Sequence, residues 1–89
     1  MFGEEICLAA IDLYGRERQE QLCIEECAEL IQAINKKHRG KEHNIAEEIA
    51  DVEIMLFQVK EINGCAEEVE RIKKEKLEKL AFLISSGRG

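Results

Sequence analysis

The sequence contains no proline and no tryptophan, and aromatic residues make up only 4% of its 89 residues. Proline ends or kinks helices, so its absence leaves long helices uninterrupted. The scarcity of aromatic residues disfavours a β-sheet protein. Glu, Lys, Leu, Ile and Ala are abundant instead. This composition predicts an all-α protein.

The sequence also lacks an excess of basic residues and a long apolar run. Its formal net charge is −6, which argues against a nucleic-acid backbone or an anionic membrane surface as the main partner. No apolar run approaches the length of a membrane span. An anionic small molecule is compatible with this charge when divalent cations lie between it and clustered carboxylates.

The first ten residues, MFGEEICLAA, contain two acids where a signal peptide would be basic. We therefore expect a cytoplasmic protein whose four cysteines are reduced. Cys23 and Cys27 lie one helical turn apart. They fit small core residues, and a zinc site shared with His38 and His43 is the alternative.

Three glycines, Gly15, Gly40 and Gly64, divide the chain into four predicted helices. Each lies where the helical periodicity breaks, as is typical of the position just past a helix end. The helices are expected over residues 4–14, 16–37, 45–62 and 65–85. The chain is then a single domain, residues 1–89, with a frayed tail over residues 85–89. At this length its core is small, so we expect a four-helix bundle completed by oligomerisation.

The third helix begins with a capping signal and is apolar on two sides. Asn44 is expected to cap it, with Glu47 reaching back in a capping box. The residues of its main apolar arc are Ile45, Ile49, Val52, Met55, Leu56 and Val59. A second apolar patch consists of Ala50, Ile54 and Phe57. A partner subunit is one candidate to cover the second patch.

Four carboxylates fall at or within the apolar arcs of the second and third helices. At about 100° per residue, Glu26 and Glu29 flank one edge of the second helix. Glu48 lies inside the arc of the third helix, and Asp51 flanks it. Glu25, by contrast, lies on a polar face. A spacing of three residues puts the members of each pair about 5–6 Å apart at Cβ. If the loop HRGKEH turns the chain back antiparallel, the two pairs lie within about one helical turn of the same level.

Inward carboxylates on neighbouring helices predict a metal site. Burying ionised carboxylates is costly without a compensating cation, and no cation at the neighbouring positions pairs with all four. Ligands that are all oxygen favour magnesium or manganese over zinc, copper or iron. The absence of a Glu-x-x-His pair weighs against a di-iron carboxylate bundle.

The fourth helix has lysines within its predicted buried stripe. Lys76 lies in the middle of that stripe and Lys73 on its shoulder. Such lysines often extend their amines to solvent along apolar surface. Next to four inward acids, an inward lysine is also suited to bind a phosphate oxygen.

The segment IEECAEL, followed after a short basic loop by EEIADVEIML, resembles the E-x-x-E…E-x-x-D signature of the MazG-like all-α nucleotide pyrophosphohydrolases. The resemblance extends upstream to Gln19 and downstream to KLEKL, residues 76–80, which is similar to the family's K-[LF]-E-R motif. Lys79 stands where arginine is usual.

The resemblance implies a set of functional residues and a reaction. The magnesium ligands it implies are Glu26, Glu29, Glu48 and Asp51. It implies that Lys76 contacts phosphate, with Lys73 and Gln19 as further substrate-binding candidates. The reaction is hydrolysis of an NTP or dNTP between the α and β phosphates, giving a monophosphate and pyrophosphate, in a homodimer or homotetramer. Metal-assisted attack by water on the α-phosphorus is expected, with Glu29 or Glu48 orienting or deprotonating that water.

Two alternatives remain open at the level of the sequence. Within the same chemistry, the protein could be a phosphoribosyl-ATP pyrophosphohydrolase. Outside enzymes, it could be a non-catalytic helical interaction module. Relatives act on dUTP, dCTP, damaged nucleotides and phosphoribosyl-ATP. The few aromatic residues available to stack on a base do not select among these substrates.

Overall fold

A computed structural model describes residues 3–87 as four α-helices joined by short turns, with no strand in that range. The helices are α1 (Gly3–Tyr14), α2 (Arg16–His38), α3 (Ile45–Asn63) and α4 (Ala66–Ser85). The all-α prediction is confirmed, and every predicted helix end lies within one residue of the observed one. The predicted frayed tail falls partly outside the described residues, because Arg88 and Gly89 are not among them.

Glycines in the left-handed region separate the helices, as predicted. Gly15, Gly40 and Gly64 have φ angles of 93°, 70° and 59°. The Gly15 N–H donates to the Ile11 carbonyl at 2.9 Å, and its own carbonyl accepts from the Gln19 N–H at 3.1 Å. One residue therefore ends α1 and starts α2. A side chain at Gly15 would be strained, because L-residues rarely adopt positive φ.

The predicted capping box at the start of α3 is wrong. Asn44 occupies the N-cap position, but its side chain caps no backbone N–H. Its amide Nδ2 instead donates to Glu48 Oε1 at 2.7 Å. Glu48 is buried, whereas Ala46 and Glu47 in the same turn of the helix are exposed. Water can satisfy exposed N–H groups, so the buried carboxylate has more to gain from the amide.

The most extensive helix contact is between α2 and α3. The apolar residues buried in the fold are Cys7, Cys23, Ala33, Val52 and Met55. Polar residues are buried with them, because Gln19 and Gln58 are only 4% and 3% exposed. Gln19 Nε2 donates to Gln58 Oε1 at 2.7 Å. The glutamine pair was not predicted, and it ties the two helices together inside the core.

The first helix packs on both α2 and α3 and covers part of the second apolar patch on α3. Cys7 is buried, and its Sγ lies 3.9 Å from the Ile54 carbonyl oxygen. An open groove of about 560 Å³ remains between the two helices, and Ala50, Ile54 and Phe57 are among its lining residues. The patch predicted to face a partner subunit is therefore shared between α1 and solvent.

The fourth helix departs from the predicted bundle. Within residues 3–87 it contacts α3 alone, and none of its residues is buried. Lys73 and Lys76 are exposed, so the expected inward placement of Lys76 is not found within one chain. The radius of gyration is 16.2 Å, against about 12 Å for a compact domain of this length. Three helices pack together and the fourth extends from them.

None of the helices in the described part of the chain combines the length and the apolar character needed to cross a membrane.

Candidate metal centre

Three of the four predicted acids converge between α2 and α3. Carboxylate oxygens of Glu26, Glu29 and Glu48 all lie within 4.8 Å of one another. Glu26 and Glu29 lie one turn apart on α2, and Glu48 reaches them from the first turn of α3. We call these three side chains the carboxylate group. The predicted convergence is confirmed for its members, while Asp51 lies outside the group.

Asp51 nevertheless stands next to Glu26. Both residues line a hollow of about 160 Å³ whose other walls are Leu22, Ile54 and Met55. Glu26 is opposite Asp51, and Glu29 is opposite Glu48. The chain order of the facing residues is thus reversed between α2 and α3, as expected for antiparallel helices. The two predicted pairs thus meet at matching levels of an antiparallel helix pair.

The register of these acids continues to the buried glutamines. Gln19 lies seven residues before Glu26, and Gln58 lies seven residues after Asp51. Seven residues are about two turns, or roughly 10 Å along each helix. The hydrogen bond between Gln19 and Gln58 therefore fixes the same register that brings the carboxylates together.

Two oxygens of the carboxylate group are buried without a hydrogen-bond partner, Glu26 Oε2 and Glu48 Oε2. Glu48 as a whole is 6% exposed. Native structures leave few buried polar atoms unpaired, and each one requires an explanation. A carboxylate has no donor of its own when ionised, so neighbouring carboxylates cannot satisfy one another. A cation bound among them would satisfy both oxygens.

Burial is the main cause of a raised pKa at Glu48. The charges of Glu29 and Asp51 and a contact with the Glu29 carboxyl raise its pKa further, while the hydrogen bond from Asn44 lowers it. Burial also raises the pKa of Glu26, followed by the charges of Glu29, Asp51 and Glu48 and a hydrogen-bonding contact with Asp51. Without a cation, both carboxyls therefore favour the protonated form more than an exposed glutamate does.

No basic side chain of residues 3–87 pairs with the carboxylate group. Within residues 3–87 the ion pairs are all internal to α4 and join Arg71 to Glu68 and Glu75, and Lys73 to Glu70. The group therefore holds concentrated negative charge with no protein cation beside it. Oxygen ligands in this number are compatible with a hard divalent cation such as magnesium or manganese, with water filling the remaining positions.

The structure accounts differently for the other predicted site residues. Glu25 is exposed, as its polar helix face predicted. The Gln19 amide nitrogen is already engaged with Gln58 in the core. Lys73 lies 3.3 Å from Glu70 on the exposed surface of α4. Within one chain, neither Gln19 nor Lys73 is placed to meet a substrate at the carboxylate group.

The cysteines do not form part of a wider ligand set. All four are free thiols. Cys23 is buried, and burial together with the neighbouring Cys27 thiol raises its pKa. Among the described residues, the carboxylate group is the one cluster of three or more potential metal ligands. Neither His38 nor His43 joins the cysteines in such a cluster, so the zinc alternative gains no support.

The contact of Asn44 with Glu48 in this site was not predicted from the sequence. The residue was assigned to helix capping, yet its amide holds a carboxylate one turn further along the chain. A signal was present, because Asn44 and Glu48 are four residues apart and thus share one helix face. The inward position of Glu48 could have drawn attention to it.

Comparison with models of protein families, with curated proteins and with solved structures found no match to this chain.

Proposed function

We propose that this protein is a magnesium-dependent nucleoside triphosphate pyrophosphohydrolase. It cleaves an NTP or dNTP between the α and β phosphates and releases a nucleoside monophosphate and pyrophosphate. The observation that carries the proposal is the carboxylate group, with two buried oxygens that have no partner. The proposal also rests on the resemblance of both acidic motifs to the MazG-like enzymes. A site of this charge attracts a triphosphate only through divalent cations.

The cation ligands we propose are Glu26, Glu29, Glu48 and Asp51. The first three are already together, and Asp51 lines the hollow beside Glu26. Magnesium, or manganese in its place, supplies charge neutralisation at the phosphate oxygens and lowers the pKa of a bound water. A triphosphate fits this chemistry better than a neutral substrate does, since its oxygens are hard anionic ligands.

Of the two candidates for handling water, the geometry favours Glu29. Glu48 is 6% exposed, and one of its oxygens accepts a hydrogen bond from Asn44. Glu29 is exposed although its carboxylate belongs to the same group. A residue that orients or deprotonates an attacking water must reach solvent and the reacting phosphate together. We therefore assign that role to Glu29 and a ligand role to Glu48.

The proposal includes a homodimer or homotetramer. One chain exposes 7068 Å², whereas a compact monomer of 10.2 kDa exposes about 5300 Å². The excess of roughly 1,800 Å² is similar to what one subunit buries in an obligate dimer. Large apolar side chains are exposed on the chain, and on α4 they include Leu77, Leu80, Phe82 and Ile84.

Association with a second copy also offers a role for the exposed lysines of α4. Because α4 does not contact α2 within the chain, helix packing does not bring Lys76 to the carboxylate group of its own subunit. We propose that the association of two copies brings Lys76, with Lys73 nearby, to the phosphates at the partner's acids. Four free cysteines fit the expected cytoplasmic location, where thiols stay reduced.

A substrate panel tests the proposed function. The purified protein is incubated with canonical NTPs and dNTPs, damaged nucleotides and phosphoribosyl-ATP, each with magnesium and with a chelator. Phosphate-containing products are then identified by chromatography and ³¹P NMR. We expect pyrophosphate and a monophosphate from at least one nucleotide, in the magnesium samples alone.

The products separate this function from its alternatives. Cleavage of phosphoribosyl-ATP alone would assign the runner-up activity. Release of orthophosphate in place of pyrophosphate would refute cleavage between the α and β phosphates. An inert panel would favour the non-catalytic interaction module.

A further inference from the structure

We infer that Asn44 is a positioning residue of the metal centre, which fixes the Glu48 carboxylate so that its Oε2 faces the cation. The inference rests on the proposed function, because it assigns a role within the same site. It concerns a residue outside both acidic motifs, at the turn that leads into α3.

The geometry distinguishes the two oxygens of Glu48. Asn44 Nδ2 donates to Oε1 at 2.7 Å, whereas Oε2 is buried and has no partner. An ionised carboxylate only accepts hydrogen bonds, so the nitrogen of the amide, and not its oxygen, must face it. One oxygen is therefore held by the protein and the other is left for a ligand. A carboxylate oxygen of Glu48 lies within 4.8 Å of those of Glu26 and Glu29.

The hydrogen bond limits the motion of a side chain that would otherwise be free to rotate. A glutamate has three rotatable bonds, and its terminal torsion is broad. Asn44 is anchored at the same place by its backbone, since its carbonyl accepts from the Glu48 N–H at 3.1 Å. Two hydrogen bonds between the same two residues thus fix the Glu48 backbone and its carboxylate together. Pre-oriented ligands bind a metal more tightly than mobile ones do.

The start of α3 gives up a local hydrogen bond for this arrangement. An asparagine at the N-cap normally accepts a hydrogen bond from the second or third backbone N–H of the helix, which stabilises the helix start. Asn44 has the N-cap position but makes no such bond. When a residue departs from its usual local role at a cluster of unpaired buried oxygens, a functional constraint is the expected reason.

Replacement by serine separates the two roles of Asn44. Serine is as good an N-cap as asparagine, but its hydroxyl is too short to reach the position of the amide at Glu48. Asn44→Ser should therefore keep a capping side chain at the start of α3 while releasing the Glu48 carboxylate. Asn44→Gln retains the amide on a longer side chain and serves as the conservative rescue.

Cation affinity is the measurement that tests the positioning role of Asn44. Metal-free wild type and variants are titrated with Mn²⁺, the free ion is followed by electron paramagnetic resonance, and Mg²⁺ is added as competitor. Loss of a group that orients a metal ligand typically weakens affinity 10–100-fold. We expect about a tenfold or larger loss of affinity in Asn44→Ser and a smaller loss in Asn44→Gln.

A matched control is available at the other end of α3. Asn63 Nδ2 also donates to a glutamate, Glu20 Oε2, at 2.9 Å, but on an exposed surface outside the carboxylate group. Asn63→Ser should leave Mn²⁺ affinity unchanged. A comparable loss in both variants would show a general effect on the helix and would overturn the positioning role.

The results also separate this inference from the proposed function. If wild type and Asn44→Ser bind Mn²⁺ equally well, Asn44 does not position the ligand, although the metal site stands. If wild type binds neither Mn²⁺ nor Mg²⁺, the metal site itself is refuted and the inference with it. If Asn44→Ser fails to fold, as judged by circular dichroism, affinity in Asn44→Gln that equals wild type supports the role of the amide. A tenfold or larger loss of Mn²⁺ affinity in folded Asn44→Gln would contradict the role of the amide.

Discussion

The contact between α2 and α3 and the surface of α4 are built from similar amphipathic helices but end in opposite environments. Between α2 and α3, polar side chains meet partners at matching levels, with Glu29 opposite Glu48 and Gln19 hydrogen-bonded to Gln58. On α4, no residue is buried, and Leu77 and Phe82 are 57% and 64% exposed. Amphipathicity therefore predicts which face of a helix is apolar, but not which element packs against that face.

The same comparison applies to charge. On α4, acids and bases alternate and pair with each other at the surface, as Arg71 does with Glu75 at 3.1 Å. Such exposed pairs contribute little to stability. Between α2 and α3, acids meet acids without any base. Repulsive charge in the better packed region favours a ligand site there, whereas balanced charge on α4 is typical of a solvated or intersubunit surface.

The largest expected effect is on turnover at the carboxylate group. Glu26→Gln and Glu48→Gln remove a charged oxygen that faces the proposed cation and should each reduce turnover about a hundredfold or more, as loss of a key electrostatic group does. The measurement is pyrophosphate release from the preferred nucleotide at saturating magnesium. Both variants keep the size and hydrogen-bonding capacity of the side chain, so large structural changes are not expected.

Glu25→Gln is the matched control for these variants, because Glu25 is adjacent in sequence but exposed. It should retain nearly normal turnover. Equal losses of turnover in Glu25→Gln and Glu26→Gln would mean that the difference in burial between these two residues does not affect function.

A second expected effect is dissociation of the assembly by a charge on the exposed face of α4. Light scattering of wild type should give a multiple of the 10.2 kDa chain mass. Leu80 is 46% exposed in the single chain, so Leu80→Glu should barely alter the fold of one subunit. A buried, unpaired charge in an interface is costly, and we expect this variant to dissociate at micromolar concentration.

Glu78→Gln, on the polar surface of the same helix, should leave the assembly intact. If Leu80→Glu remains assembled, the interface lies elsewhere, and Phe57→Glu then tests the groove between α1 and α3. A wild-type mass near 10.2 kDa would exclude the oligomer.

A third effect concerns the buried glutamines. Gln58→Leu leaves the Gln19 amide without a partner inside the core, at a cost of about 1–3 kcal/mol in the free energy of unfolding. Replacing both glutamines by leucine removes the unpaired group and should recover much of that loss. Urea unfolding of the two single variants and the double variant gives the coupling energy directly.

The double variant also tests the substrate role that the family resemblance implies for Gln19. Its amide is occupied in the core, so a folded double variant should keep the wild-type KM. A KM raised tenfold or more in that variant would restore Gln19 as a substrate contact.

The smallest expected effect is on stability as a function of pH. The pKa values of Glu26 and Glu48 are raised from their ordinary value of 4.5, mainly by burial. The folded protein then binds protons more tightly than the unfolded chain. The contribution of these two carboxyls to stability without metal is therefore greatest below about pH 4.5 and is lost as pH rises from there through the raised pKa values.

Thermal unfolding of metal-free wild type and Glu48→Gln between pH 4 and pH 7 isolates this contribution. As pH rises, wild type should lose stability relative to the variant. Magnesium at 100 times its dissociation constant should offset the loss at pH 7 by about 2.7 kcal/mol in wild type, with a much smaller rise in Glu48→Gln. Parallel pH profiles of the two metal-free proteins would show that burial does not raise the pKa of Glu48.

The helical period of the sequence predicted correctly which of two neighbouring acids is exposed, as Glu25 and Glu26 illustrate. They are adjacent and chemically identical, yet the helical period alone assigned one to solvent and the other to the interior. The same reasoning brought Glu29 and Glu48 together. It erred at Lys76, because a position within an apolar stripe is buried only where another helix lies over it.

Local physics thus determined the helices and their facing, since a glycine at positive φ ends a helix whatever surrounds it, and 100° per residue fixes which side chains share a face. Those features are contained in short stretches of the chain. The tertiary structure alone decided that Gln58 would meet Gln19, that Asn44 would bind Glu48 instead of capping α3, and that α4 would remain uncovered. Each of these depends on which groups lie opposite and how far they are from water, and residues distant in sequence set both.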